Sequence, residues 1–400
     1  DLAQFRNWYS QAGTPRLAVK GVYDEAQQTY TLTVEQSCPP TPGQTDKEPF
    51  VIPLAVGLLG AAGNLPLRPR GEEPDFETDD NTHRVLVVSE PFQQFVFEGV
   101  VEKPVPSLLR GFSAPVRLDY DYSPLELYAL ISRDDDGFVR WDSAQNLATR
   151  VIGSVQRDLE SGRAPTVEPL LVRACADLLE DDSLDPAMVA EMLTLPGENY
   201  LAELASQSGT VDVDGIHRAR EHVTATLGAR LTEALLRRYH DLEYSGEYAP
   251  DAQQVARRSL RNACLNLLVQ GGAQYLHLAT IQFEQAGNMT DRLAALKTIA
   301  FYGDDALRQS TLDAFYAAWR HETLVVNQWL QVQAAIPDAA AVDRVSDLMA
   351  HEEFDLRNPN KVRALIGVFS AQNPVNFHRG DGAGYRLLGD VVLQLNELNP

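Results

Sequence analysis

Several stretches of the chain carry residue types that could do chemistry. His321-Glu322-Thr323-Leu324-Val325 and His351-Glu352-Glu353-Phe354-Asp355 both begin like the His-Glu-x-x-His helix of zinc peptidases. In that motif two imidazoles one turn apart hold the metal, and the Glu takes a proton from the bound water. Val325 and Asp355 stand where the second imidazole is required, so both stretches read as ordinary helix-surface or loop pairs. His217-Arg218-Ala219-Arg220-Glu221-His222 nearly spells the inverted motif, His-x-x-Glu-His. It has one residue too many, because five steps of about 100° put the imidazoles roughly 140° apart around a helix.

Other chemistries fail on the same kind of test. Neither a Gly-x-Ser-x-Gly elbow nor a phosphate loop ending in Gly-Lys-Ser/Thr occurs. Gly380-Asp381-Gly382-Ala383-Gly384 follows no strand and reads as a tight interhelical turn. Asp134-Asp135-Asp136-Gly137 and Asp212-Val213-Asp214-Gly215 lack the remaining ligands of a calcium loop and read as acidic helix starts. The run from Gly71 to Asp80 reads as a solvated acidic loop, and Asn288-Met289-Thr290 fits a glycosylation sequon. Composition and spacing therefore yield no active site in these 400 residues.

The elements that would position any site change character part-way along. Between Arg16 and Tyr122 apolar residues alternate in short runs, most strictly over Thr29–Val34, separated by Pro- and Gly-rich breaks. Further strands are expected at Arg16–Tyr23, Phe50–Leu59, Arg84–Ser89, Gln94–Val101 and Pro115–Tyr122. Such a succession, with no helix between, predicts an antiparallel β-sandwich. Ser123-Pro124 then reads as an N-cap followed by a first-turn proline. Helical spacing continues from there to the end, with further starts at Asp185-Pro186, Asn358-Pro359 and Asn373-Pro374 and an interruption at Leu195-Pro196. Ile216, Val223, Leu227, Leu231 and Leu235 are expected on one long helix.

The predicted architecture is thus multidomain, β then α: a sandwich over residues 16–122, followed by an irregular, superhelical, solenoid-like α domain over 123–400. Residues 1–15, with Phe5-Arg6-Asn7-Trp8-Tyr9, read as the tail of an upstream domain. Asn399-Pro400 reads as the start of a helix that the chain does not continue, so the α domain is expected to be truncated at its end.

Composition bounds the function from the other side. The 400 residues hold 34 Lys+Arg and 56 Asp+Glu, a formal charge of −22, and are 44% hydrophobic. That is enough apolar material for a core, and the acidic surface argues against nucleic acid and anionic membranes as partners. Cys38, Cys175 and Cys264 have no metal-type spacing and leave an odd thiol, which predicts a reducing, cytoplasmic setting. No apolar run is long enough for a membrane span.

Particular stretches resemble one family, the bacterial aminopeptidase N group of gluzincin zinc aminopeptidases. They are Gln4-Phe5-Arg6-Asn7-Trp8-Tyr9-Ser10-Gln11-Ala12-Gly13-Thr14-Pro15, Thr194-Leu195-Pro196, Arg261-Asn262-Ala263-Cys264-Leu265, Asn288-Met289-Thr290-Asp291, Trp329-Leu330-Gln331 and the run from Asn358 to Gly367, in family order. The first and last are the most specific. The family's zinc-binding helix and its Gly-Ala-Met-Glu-Asn loop lie upstream of the sandwich and have no counterpart here. The resemblance therefore implies the C-terminal, non-catalytic part of such an enzyme, with zinc in the parent protein and none bound by this chain. It implies a helical bowl over the active-site chamber, peptide substrates shared with the upstream catalytic domain, and a monomer. It also implies that Arg363, in Asn358-Pro359-Asn360-Lys361-Val362-Arg363, helps bind the C-terminal side of the peptide. A guanidinium suits that role because its fixed fork of donors matches a carboxylate or peptide carbonyls. The other reading of Arg363 is a structural ion pair. The other reading of the whole chain is a free-standing solenoid-plus-sandwich scaffold that binds a protein partner.

Overall fold

A computed structural model describes residues 2–71, 82–207 and 209–398. The acidic run from Glu72 to Asp80 and the Asn399-Pro400 pair lie outside them. The chain divides into two compact units, Asp1–Leu147 and Ala148–Pro400.

The first unit contains β1 (Arg16–Asp24), β2 (Thr29–Ser37), β3 (Ile52–Leu59), β4 (Asn64–Leu65), β5 (Arg84–Val88), β6 (Phe92–Glu98), β7 (Val105–Leu108) and β8 (Arg117–Asp119). One sheet runs β6-β2-β1-β8; in the other, β3 pairs with β4 and β5 and also with β7. The alternation in the sequence becomes the in-out pattern expected of a pleat, with Leu17, Val19, Leu32 and Val34 buried. β3 departs from alternation and is buried along almost its whole length, as befits a strand paired with neighbours on both edges and covered on both faces. The pairing is antiparallel throughout except for β1 with β8, a parallel match of three residue pairs. The segment Gln4–Ser10 is tied to this unit: Trp8 Nε1 donates to the Val51 carbonyl at 2.9 Å, and its ring lies 4.8 Å from that of Phe50.

Ser123 closes the strand region as its sequence suggests. It caps the helix Pro124–Arg133 in a full capping box, with the Ser123 hydroxyl taking the Glu126 amide and the Glu126 carboxylate taking the Ser123 amide. This helix and the first half of the next, Gly137–Glu160, belong to the first unit.

In the second unit helices follow one another to Leu398. Asp185, Asp212, Asp251, Asn288, Asp304 and Asn358 each cap a helix by accepting a backbone N–H, which satisfies donors that the first turn cannot. Asn373 precedes a helix at Pro374 without capping it. Its buried amide donates instead to the carbonyls of Ala334 and Ile336, at 3.0 and 2.9 Å. The single long helix expected over Ile216–Leu235 is two, Val213–Arg230 and Thr232–Asp241, broken at Leu231. Two causes are visible. Gly228 meets Leu267 and Gly271 of the neighbouring helix so closely that a Cβ would strike backbone, and the Thr232 hydroxyl bonds back to the Gly228 carbonyl at 2.9 Å.

Candidate substrate-binding segment

Arg363 sits in a segment built from short pieces. Asn358 Oδ1 accepts the Asn360 amide at 3.0 Å, and Pro359 occupies the first turn of the helix Pro359–Val362. Lys361 points inward, where its buried ammonium lies 3.3 Å from Glu353 Oε2. Glu353 also accepts the Tyr316 hydroxyl at 3.2 Å. Tyr316, Trp329 and His351 pack their rings at 4.9 to 5.3 Å. Burial first, and then Glu352 and Glu353, push the Tyr316 hydroxyl up to about 12. The second His-Glu pair of the sequence is thus part of a structural cluster beneath the segment.

The five residues Arg363–Gly367 then form a π-helical turn. Ala364, Leu365 and Ile366 are consecutive and all buried, an arc wider than an α-helix usually devotes to one core. The wide turn accommodates it, and such turns recur at functional positions. Arg363, at the turn's first residue, is exposed and makes no ion pair or hydrogen bond among the described residues. It lines a cavity of about 460 Å³ with Leu356, Arg357, Val362, Leu395 and Leu398. Two guanidiniums over an apolar floor can hold a carboxylate beside an apolar side chain. Arg357 was not singled out in the sequence; the one signal for it was its place six residues before Arg363.

The remaining sequence candidates lie apart. His217 is clamped between Glu198 and Glu221, at 2.8 and 3.4 Å, and the hydrogen bonds it donates to Glu198 and then Glu221 raise its pKa to about 10. His222 faces another cavity, beside Thr166 and Thr226. His321 stacks on Trp319 at 6.4 Å. Asp136 caps the helix at Gly137 through the Val139 amide at 2.9 Å, while Asp134 and Asp135 pair with Arg110. The Gly380–Gly384 stretch is a turn between helices, with Gly382 at φ 71° and the Asp381 carboxylate taking the Ala383 amide. Among the described residues no three His, Cys, Asp or Glu side chains gather as a metal would need. Cys38, Cys175 and Cys264 are free thiols, and no helix among the described residues is long and apolar enough to cross a membrane.

With this geometry in hand, comparison with known proteins is specific. Residues 124–400 match a family described as a domain of unknown function, DUF3458_C, with ARM repeats. The chain belongs to that family. Residues 13–121 match its companion DUF3458, described as having an Ig-like fold, so the β-then-α architecture stands. Over its whole length the chain is 38% identical to aminopeptidase N of Escherichia coli, covering 45% of that protein. It is also 38% identical to aminopeptidase N of Haemophilus influenzae and 37% identical to that of Caulobacter vibrioides, covering 44% of each. A crystal structure of Legionella pneumophila aminopeptidase A in complex with aspartic acid superposes on the entire chain with a TM-score of 0.84 at 28% identity, covering 44% of that protein. The chain spans less than half the length of these relatives, and it is homologous to the C-terminal region of aminopeptidase N.

Proposed function

We propose that the chain is the non-catalytic C-terminal part of a cytoplasmic, monomeric, zinc-dependent aminopeptidase that removes N-terminal residues from peptides. In this reading the sandwich covers residues 16–122 and the helical domain begins at 123. The zinc and the groups that act on the scissile bond belong to a catalytic domain outside this sequence. The helical unit encloses the chamber and restricts what enters it, which keeps bulk water from weakening polar contacts to the peptide. Arg363 binds the C-terminal side of the substrate. The observation that carries the reading is the match to aminopeptidase N along the whole chain, which also favours it over a free-standing scaffold. The exposure of Arg363, without a carboxylate partner among the described residues, supports its role.

Two measurements test the proposal. In the intact enzyme, Arg363→Ala is expected to raise KM for tripeptides about tenfold, the worth of one charge-assisted hydrogen-bonded contact. KM for an aminoacyl amide without a terminal carboxylate should stay unchanged; equal effects on both substrates would reject the carboxylate role. Separately, this 400-residue chain should not hydrolyse an alanyl chromogenic substrate that the intact enzyme turns over. Zinc-dependent turnover by the chain alone would overturn the non-catalytic assignment.

A further inference from the structure

A second cavity, remote in sequence from Arg363 and independent of the function proposed above, has the makings of a ligand site. It measures about 420 Å³ and lies within the second unit, among the helices Thr232–Asp241, Ala252–Gly271 and Leu276–Gln285 and the loop between the first two. Arg257, Arg258 and Arg261 reach it from one helix. Each guanidinium lies over a tyrosine ring: Arg257 on Tyr244 at 5.3 Å, Arg258 on Tyr248 at 5.1 Å and Arg261 on Tyr239 at 4.4 Å. Ring stacking holds a guanidinium plane while leaving its edge, which carries the N–H donors, free to bind.

The floor beneath is polar and already satisfied. The Asp291 carboxylate accepts from Asn262 and Asn288, both at 2.9 Å. Gln282, 3% exposed, donates to Asn262 Oδ1 at 2.8 Å and to the Asp291 carbonyl at 2.9 Å, and accepts the Tyr239 hydroxyl at 3.1 Å. Asp291 also forms an ion pair with Arg261 at 3.9 Å, too long for a hydrogen bond, and Arg261 Nε donates to the Tyr239 carbonyl at 3.3 Å. Among the described residues Arg257 and Arg258 bond only to neutral oxygens, the Glu243 carbonyl at 3.1 Å and the Gln254 amide at 3.2 Å. Arg258 is 9% exposed, and the buried Nε of Arg257 has no partner. A chain of charge −22 thus assembles three cations, one buried and two half-buried, none of which has a hydrogen-bonded carboxylate among the described residues. Buried charges of one sign are ordinarily matched, and here the three guanidiniums have one ion-pair carboxylate among the described residues, Asp291 beside Arg261. Leu278 and Ile281 supply an apolar wall.

We propose that this cavity binds a small organic anion, one carboxylate or phosphoryl group held by the arginine edges and an apolar or planar body against the tyrosines and the wall. Its volume suits a ligand of metabolite size. Titration calorimetry of the full chain with citrate and, separately, pyrophosphate, at constant ionic strength, tests this. The expected result is saturable one-to-one binding of at least one of them with Kd at or below about 1 mM. Citrate alone identifies a carboxylate ligand and pyrophosphate alone a phosphoryl ligand. Arg258→Gln and Arg261→Gln should each weaken binding about tenfold or more. Because Arg258 is buried, Arg257→Gln, at a half-buried position, serves as a second variant with the same expectation, and thermal melts confirm that each is folded. Absence of saturable binding by both anions, or affinity unchanged in folded Arg257→Gln and Arg261→Gln, would overturn the proposal.

Discussion

In the first unit the buried cation is Arg110, and acids surround it: Asp134 lies 3.6 Å away with its side chain fully buried, and Asp135 pairs with the same nitrogen. In the second unit the corresponding groups divide. Arg308 and Arg344 share Asp338, at 3.3 and 2.5 Å, and these pairs fasten helix ends to one another. Arg257, Arg258, Arg261 and Arg363 have no hydrogen-bonded carboxylate among the described residues. The difference teaches where to look for binding: a cation hydrogen-bonded to an acid stabilises the fold, whereas one without such a bond is available to something else.

Substitution can break or sharpen this contrast. The largest effect is expected for Arg110→Ala, which strands the buried Asp134 carboxylate and should cost about 3–5 kcal/mol in denaturant unfolding of the first unit. A loss below about 1 kcal/mol would erase the distinction. His217→Gln should have a smaller, pH-dependent effect. The folded pKa is raised from 6.5 to about 10, so the clamp's contribution is complete below about pH 6.5, shrinks as pH rises, and is gone above about pH 10. At pH 6 the variant should be less stable by about 1–2 kcal/mol, with the half-exposure of Glu221 limiting the figure. Melting curves of the two proteins should converge by pH 10.5. Curves that stay parallel at every pH would show that the clamp is uncharged. The smallest change belongs to Arg363→Ala, whose stability should match the parent within about 0.5 kcal/mol. A larger loss would reveal a structural partner and move Arg363 to the matched class.

The sequence made much of this architecture legible because its signals were local. The Ser123-Pro124 cap, the proline-marked starts at 186 and 359 and the alternation of Thr29–Val34 each depend on neighbours within a few residues, and each has its structural counterpart. Features set by distant partners were hidden. β4 has two residues, and β7 carries Pro106 in its middle, so neither showed an alternating run. The break at Leu231 follows from Gly228 meeting a helix some forty residues away, and Asn373 looked like a cap because nothing nearby announced its bonds to Ala334 and Ile336.

The candidate sites divide in the same way. Arg363 was found through family resemblance, since no rule of spacing marks it. The three-arginine cavity went unread although Arg257-Arg258-Ser259-Leu260-Arg261 places cations at one, two and five on a helix, a conspicuous cluster in an acidic chain. Its tyrosines come from a different helix and a loop, and the aspartate beside Arg261 takes its hydrogen bonds from asparagines, which only the folded chain reveals.

The π turn at Arg363–Gly367 has a consequence for how this segment tolerates change in length. A π turn holds one residue more than an α turn, so removing a single residue within it closes the turn to ordinary α-helix and leaves the helical phase on either side intact. The same deletion in a regular helix rotates everything beyond it by about 100°. This short stretch is therefore a place where the chain can lose a residue without rotating the helix beyond it.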